Sequence, residues 1–119
     1  MSNPSNPILQ LDPSTFQTEV LADPTPIVVD FWAPWCGPCL MMKPVLKDAA
    51  AKLDGVARVA QVNVDQYPHL AEPFGIRGIP TCVIFADGSV LDSVTGLVPS
   101  ATLVSRVTTA VQRHKAKAG

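Results

Sequence analysis

The order of elements legible in the sequence, βαβαβαββα, predicts an α/β domain in which a central mixed β-sheet carries helices on both faces. Three observations predict it. Ile27 to Trp32 is an apolar, β-branched run interrupted only by Asp30, the pattern of a strand buried on both faces of a mostly parallel sheet. From Cys36 onward, Leu40, Met41, Val45, Leu46, Ala49, Ala50 and Leu53 follow helical spacing. Thr81 to Phe85 and Val90 to Val94 flank Ala86-Asp87-Gly88-Ser89, and the Asp-Gly pair suits a tight hairpin, which makes the last two strands antiparallel. Right-handed crossovers then fix much of the remaining topology.

Taken in order, Met1 to Pro7 reads as a loose, uncharged leader, because proline lacks the donor that helices and ladders need. The domain proper spans 8–115. Ile8 to Leu11 suits a short strand. Asp12 before Pro13 matches an N-cap with proline at the first helical position, opening a helix to about Leu21. Asp23-Pro24-Thr25-Pro26 breaks that helix ahead of the central strand. The next helix begins at Cys36 and ends near Gly55, with Pro44 inside it as an expected kink. Val56 to Val64 alternates in part and ends at Asp65, a further strand. Pro68 to Phe74 is long enough for a short helix before Gly75. After the hairpin, Ser100 to about Lys115 forms an amphipathic helix with Leu103, Val104, Val107 and Val111 on one face, leaving 116–119 as a tail.

Composition bounds the function. A chain of 119 residues is one domain, and 47% hydrophobic with 16% charged residues excludes disorder as the main state. A net charge of −1 draws neither polyanionic nucleic acid nor an anionic membrane. No run approaches the roughly 18 apolar residues of a membrane span, and the first residues lack the basic start and apolar core of a signal peptide. A soluble, cytoplasmic protein is expected. Three cysteines, Cys36, Cys39 and Cys82, are too few for the disulfide framework of a small secreted domain.

Trp35-Cys36-Gly37-Pro38-Cys39 sets two thiols three positions apart where a buried strand meets a helix start. Free backbone donors and the positive end of the helix dipole there would stabilise a Cys36 thiolate, lowering its pKa below the free value of about 8.5. Cys39, one turn inside, is placed to displace a substrate bonded to Cys36. Two alternatives stand beside this reading. A structural disulfide would stabilise little across so short a loop. A zinc site would need two further ligands, and only His69 and His114 offer themselves; both read otherwise as solvated surface.

Asp30 is the second informative residue, since an unpaired carboxylate in a buried strand is costly, has a raised pKa and can take and return a proton. Its alternative is a strand-end acid pointing into water. Pro80 opens an apolar strand and follows Ile79 through a bond that is either cis or trans. Cys82 reads as a buried packing residue, with a regulatory thiol as the alternative.

Val29-Asp30-Phe31-Trp32-Ala33, then Cys36-Gly37-Pro38-Cys39, and later Gly75-Ile76-Arg77-Gly78-Ile79-Pro80-Thr81, resemble the thioredoxin family over about Ile8 to Val111, with Asp87-Gly88 and Gly96 extending the match. The resemblance implies the thioredoxin fold and a protein dithiol-disulfide oxidoreductase active in electron transport and redox homeostasis. It makes Cys36 the nucleophile, Cys39 the resolving thiol, Asp30 the proton-transfer acid and Pro80 a cis-proline that positions substrate and keeps metal ions off the thiols. Trp35, Gly37, Pro38, Ile79, Gly96 and Leu97 match the apolar rim that docks partners, whereas Trp32 is chiefly packing.

No bound flavin or metal is implied. Electrons would reach the Cys36–Cys39 disulfide from a separate thioredoxin reductase, NADPH- or ferredoxin-linked, and pass to disulfide-containing proteins, the chain acting as a monomer. The Gly-Pro dipeptide between the cysteines resembles reducing members, with a thiol oxidase or disulfide isomerase, or a redox-independent binding subunit or holdase, as alternatives. Three positions depart from the better-known bacterial pattern. Gln61 and Leu40 stand where lysines are usual, and Thr95 stands where an apolar residue is usual; a missing cation near Asp30 would raise its pKa further.

Overall fold

A computed structural model describes residues 6–118. The chain runs β1 (Ile8–Gln10), α1 (Pro13–Phe16, continuing as a π-helical stretch Gln17–Leu21), β2 (Ile27–Trp32), α2 (Gly37–Lys52), β3 (Arg58–Asn63), α3 (Pro68–Ala71, then a 3₁₀ turn Glu72–Phe74), β4 (Thr81–Ala86), β5 (Ser89–Thr95) and α4 (Ser100–Ala118). The five strands form one sheet in the order β1-β3-β2-β4-β5. β1, β3 and β2 run parallel, whereas β4 is antiparallel to β2 and β5 to β4. The mixed sheet expected from the element order is therefore the one observed.

Alternation along β2 explains why every one of its residues through Phe31 is buried. Val28 joins Val59, Cys82 and Ile84 against Met42 and Leu46 of α2, Leu53 at its C-terminal cap, and Leu103, Val107 and Val111 of α4. Val29 and Phe31 face the opposite way, into Phe16 and Val20 of the first helical segment and Ala71 of α3. Burying each such side chain stabilises the fold by about 1.5–3 kcal/mol. Phe16, Phe31, Phe74 and Phe85 interlock in this second core, with ring centroids 5.1–6.1 Å apart. Asp30 shares the parity of Val28, so it faces α2 and α4.

Local chemistry sets the element ends. Asp12 caps α1 by accepting from the Thr15 N–H at 2.8 Å, and Thr15 Oγ1 accepts from the Asp12 N–H in return. Asp87 (φ 53°) and Gly88 (φ 72°) make a two-residue hairpin turn with both residues left-handed. A Cβ at Gly88 would stand 2.6 Å from the Leu21 carbonyl oxygen, so only glycine fits.

Several boundaries differ from expectation. β3 opens at Arg58 rather than Val56, because the Val56 and Ala57 N–H groups bond back to the Leu53 carbonyl at 2.8 and 3.0 Å. Tightening of the hairpin turn extends β4 to Ala86 and starts β5 at Ser89. α4 continues through part of the expected tail to Ala118. Pro44 lies inside an unbroken α2. Asn6, read as part of the leader, is buried and donates to the carbonyls of Ala50 and Ala57, both at 2.9 Å; the rest of that leader through Ser5 lies outside the described residues.

Candidate active site

The chain leaves β2 at Trp32, turns through buried Ala33 and enters α2 with Cys36 as its N-cap. Cys36 is extended (φ −90°, ψ 110°), and its Sγ accepts from the Cys39 N–H at 3.2 Å. A sulfur therefore occupies the place of the usual capping oxygen, at the end of the helix where partial positive charge gathers. Pro38 sits in the first turn, where a missing N–H breaks no helical bond. The two cysteines are joined as a disulfide, Cα to Cα 5.2 Å. Cys36 keeps 6% exposure while Cys39 has none, so an incoming group meets Cys36 first.

Across from this turn, the Ile79 carbonyl oxygen lies 3.7 Å from Cys36 Sγ, and the Ile79–Pro80 peptide is cis. The Gly96 N–H donates to the Pro80 carbonyl at 2.8 Å, tying the end of β5 to the same loop and setting Leu97 just beyond. Trp35 is 70% exposed, yet its indole N–H is anchored on Asp65 Oδ1 at 2.9 Å. Asp65 is held in turn by its own N–H to Asn63 Oδ1 at 2.9 Å. Sequence reading missed Asp65 as a site residue; its signal was only an acid closing a strand. Leu40 and Met41, counted on the apolar face of α2, instead point outward, and Met42 takes the core position. With Trp35 and Leu97 they leave large apolar side chains exposed.

Asp30 is fully buried. Its Oδ2 accepts from Gln61 Nε2 at 3.0 Å, and Oδ1 lies 3.9 Å from the Cys82 thiol, within reach of its S–H. Burial pushes the carboxyl from the ordinary 3.8 up to about 6, partly offset by the Gln61 and Cys82 hydrogen bonds and by the Lys43 charge. The Lys43 ammonium is itself parked 4.5 Å over the Trp32 ring. Burial, and then the Asp30 charge, push the Cys82 thiol well up, so it stays neutral. The strand-end alternative for Asp30 is thus excluded by its burial.

Among the described residues no cluster of three metal-ligating side chains occurs. His69 is exposed on α3. His114, expected in solvent, instead packs its Nε2 2.7 Å from Asp87 Oδ2, at the hairpin turn, the end of β4 opposite Pro80. No described helix is long and apolar enough to cross a membrane.

The family model for thioredoxin matches residues 7–109. Thioredoxin 1 of a Nostoc species is 49% identical over 94 residues, 79% of this chain and 88% of its own length. Thioredoxin 1 of Synechococcus elongatus is 48% identical over 92 residues, 77% of this chain and 86% of its own. A solved structure of a mutant thioredoxin from Halobacterium salinarum superposes with a TM-score of 0.78 at 32% identity, covering 93% of this chain and 96% of that one. A disulfide capping α2 and a buried acid on the strand that leads into it, on this fold and with these relatives, mean that the chain belongs to the thioredoxin family.

Proposed function

We propose that this thioredoxin is a protein-disulfide reductase in which Cys36 attacks and Cys39 resolves. The observation that carries the reading is the Cys36 Sγ at the α2 N-cap, accepting the Cys39 N–H. In the reduced protein the same donors favour a Cys36 thiolate, which attacks one sulfur of a substrate disulfide. A mixed disulfide forms and the other substrate sulfur leaves as a thiolate. Cys39 then gives its proton to the Asp30 carboxylate and attacks Cys36 Sγ, re-forming the Cys36–Cys39 disulfide and releasing the second substrate thiolate. Two electrons have passed to the substrate. A separate thioredoxin reductase, NADPH- or ferredoxin-linked, restores the dithiol; no bound cofactor is needed, because sulfur alone carries the electrons.

Trp35, Gly37, Pro38, Ile79, Pro80, Gly96 and Leu97 dock the substrate, with the Ile79 backbone beside Cys36 available to an extended chain. Leu40 and Met41 add apolar surface on α2. A cytoplasmic placement goes with a reducing couple, and a monomer is the expected state of this single domain of 119 residues. Multiple turnovers of a disulfide-linked protein substrate, driven by NADPH or reduced ferredoxin and the matching reductase, test the reading. Absence of turnover with both electron sources contradicts it.

The Trp35–Asp65 bond has a separate consequence. Asp65→Ala frees the indole, and losing one hydrogen bond of about 1 kcal/mol is expected to raise KM for protein substrates about fivefold. kcat with a small disulfide stays unchanged, and a matching loss with the small disulfide would contradict a docking role.

A further inference from the structure

One polar row crosses the sheet. Gln10 of β1 pairs in register with Gln61 of β3, Gln61 with Asp30 of β2, and Asp30 with Cys82 of β4. Their side chains share the face toward α2 and α4, and they are bonded in sequence: Gln10 Nε2 donates to Gln61 Oε1 at 2.8 Å, and Gln61 Nε2 donates to Asp30 Oδ2 at 3.0 Å. Gln10 is exposed at the sheet edge, whereas Gln61 is buried.

A carboxylate only accepts, so Gln61 meets ionised Asp30 with its amide nitrogen. Its carbonyl end then needs a donor in a place nearly closed to water. Gln10 supplies that donor. A hydrogen bond to an anion is stronger than one to a neutral acid, and bonds in a chain reinforce one another. The row as oriented therefore favours the anion over the acid. We propose that Gln10 is a positioning residue for proton transfer: by donating to Gln61 it holds the amide nitrogen on Asp30 and keeps Asp30 in its proton-accepting form. The proposal rests on Asp30 as proton acceptor, and deepens that reading by replacing a nearby cation with an oriented pair of amides.

Other titratable groups face Asp30 from the surrounding elements. Lys43 acts on it from α2 and Cys82 touches it from β4, while α4 presents Leu103 and Val107. In the disulfide form Cys36 and Cys39 do not titrate, and among the described residues Lys43 and Cys82 are the titratable groups acting on the carboxyl.

The test is a ¹³C-carboxyl NMR titration of Asp30 in the disulfide form at high ionic strength, which screens charge on an exposed side chain. Gln10→Met removes the donor at similar size, and Gln10→Glu turns it into an acceptor that draws the Gln61 amide nitrogen away. Both are expected to move the midpoint upward by about half a unit or more, roughly a threefold change in proton affinity. Gln10→Lys keeps a donor and leaves the midpoint at or below that of the unaltered protein. The rate of mixed-disulfide resolution is then followed against pH in the same variants, its low-pH limb moving with the midpoint. An unmoved midpoint in Gln10→Met overturns the role of Gln10. A moved midpoint with an unmoved rate profile upholds the amide row and overturns Asp30 as proton acceptor.

Discussion

Cys36→Ser is expected to abolish disulfide reduction, whereas Cys39→Ser still attacks substrate but stalls as a covalent adduct. The difference follows from where the two sulfurs sit. Cys36 caps α2, accepts the Cys39 N–H and keeps some exposure, while Cys39 is fully buried behind it. A hydroxyl at the first position offers no nucleophile near neutral pH, so no mixed disulfide forms. Loss of the second sulfur leaves the first step intact and removes only the attack that releases substrate. Nonreducing gels of each variant mixed with a disulfide-linked protein read this directly: a shifted band with Cys39→Ser that collapses on adding dithiol, and none with Cys36→Ser. Equal, adduct-free loss in both variants would contradict the division of roles.

Replacing Asp30 by alanine is expected to have opposite effects on stability and rate. Moving a carboxyl from 3.8 up to about 6 by burial means that ionised Asp30 opposes folding. At about 1.4 kcal/mol per unit the opposition amounts to about 3 kcal/mol at neutral pH. The sign follows from proton counting: between the unfolded and folded values the native state binds more protons, so stability falls as pH rises from about 4 to 6 and is level above. Asp30→Ala removes that fall, less the cost of leaving the Gln61 amide unpaired, about 1–3 kcal/mol, for a net gain of up to about 2 kcal/mol at pH 7. Urea titrations at pH 4.5 and pH 7 would show a gain only at the higher pH.

Because Asp30 is the proposed proton acceptor for Cys39, the same substitution is expected to slow resolution by about a hundredfold above pH 6, in the usual range for a lost general base. In the unaltered protein the resolution rate is expected to fall as pH drops through about 6, the value to which burial raises the Asp30 carboxyl. A stabilised variant that resolves mixed disulfides at the normal rate would separate burial of the acid from any chemical use.

What was legible in the sequence was local. The buried run of β2, the capping pair Asp12-Pro13, the Asp-Gly turn and the cysteine spacing each state their structure within a few residues, so the element order and the thiol pair could be read directly. Leu40 and Met41 show the limit of periodicity. Four apolar residues, Cys39 to Met42, open α2 in succession, and only packing against the sheet decides that Cys39 and Met42 face inward. The change of Gln17–Leu21 from α- to π-helical bonding left no such local mark.

Contacts between strands were beyond reach for a different reason. Asp30 announced itself as a buried acid, but its partners Gln61 and Cys82 lie 31 and 52 residues away. Gln10 and Gln61 are 51 residues apart, and Trp35 and Asp65 are 30. These pairings depend on the register of neighbouring strands, parallel and antiparallel, which is fixed by packing of the whole sheet, and on the loops that follow them. Asn6 belongs with them, since its anchors on Ala50 and Ala57 exist only once α2 has docked.

The central claim is that the Cys36–Cys39 couple is a reductant. Its reduction potential, equilibrated against dithiol buffers and followed by the fluorescence of Trp32 and Trp35, tests this most directly. The account predicts a value below the cytosolic glutathione poise of about −220 to −260 mV, so that the dithiol gives electrons to substrate proteins. A value well above that range would make the couple an electron acceptor, and the protein an oxidase or isomerase.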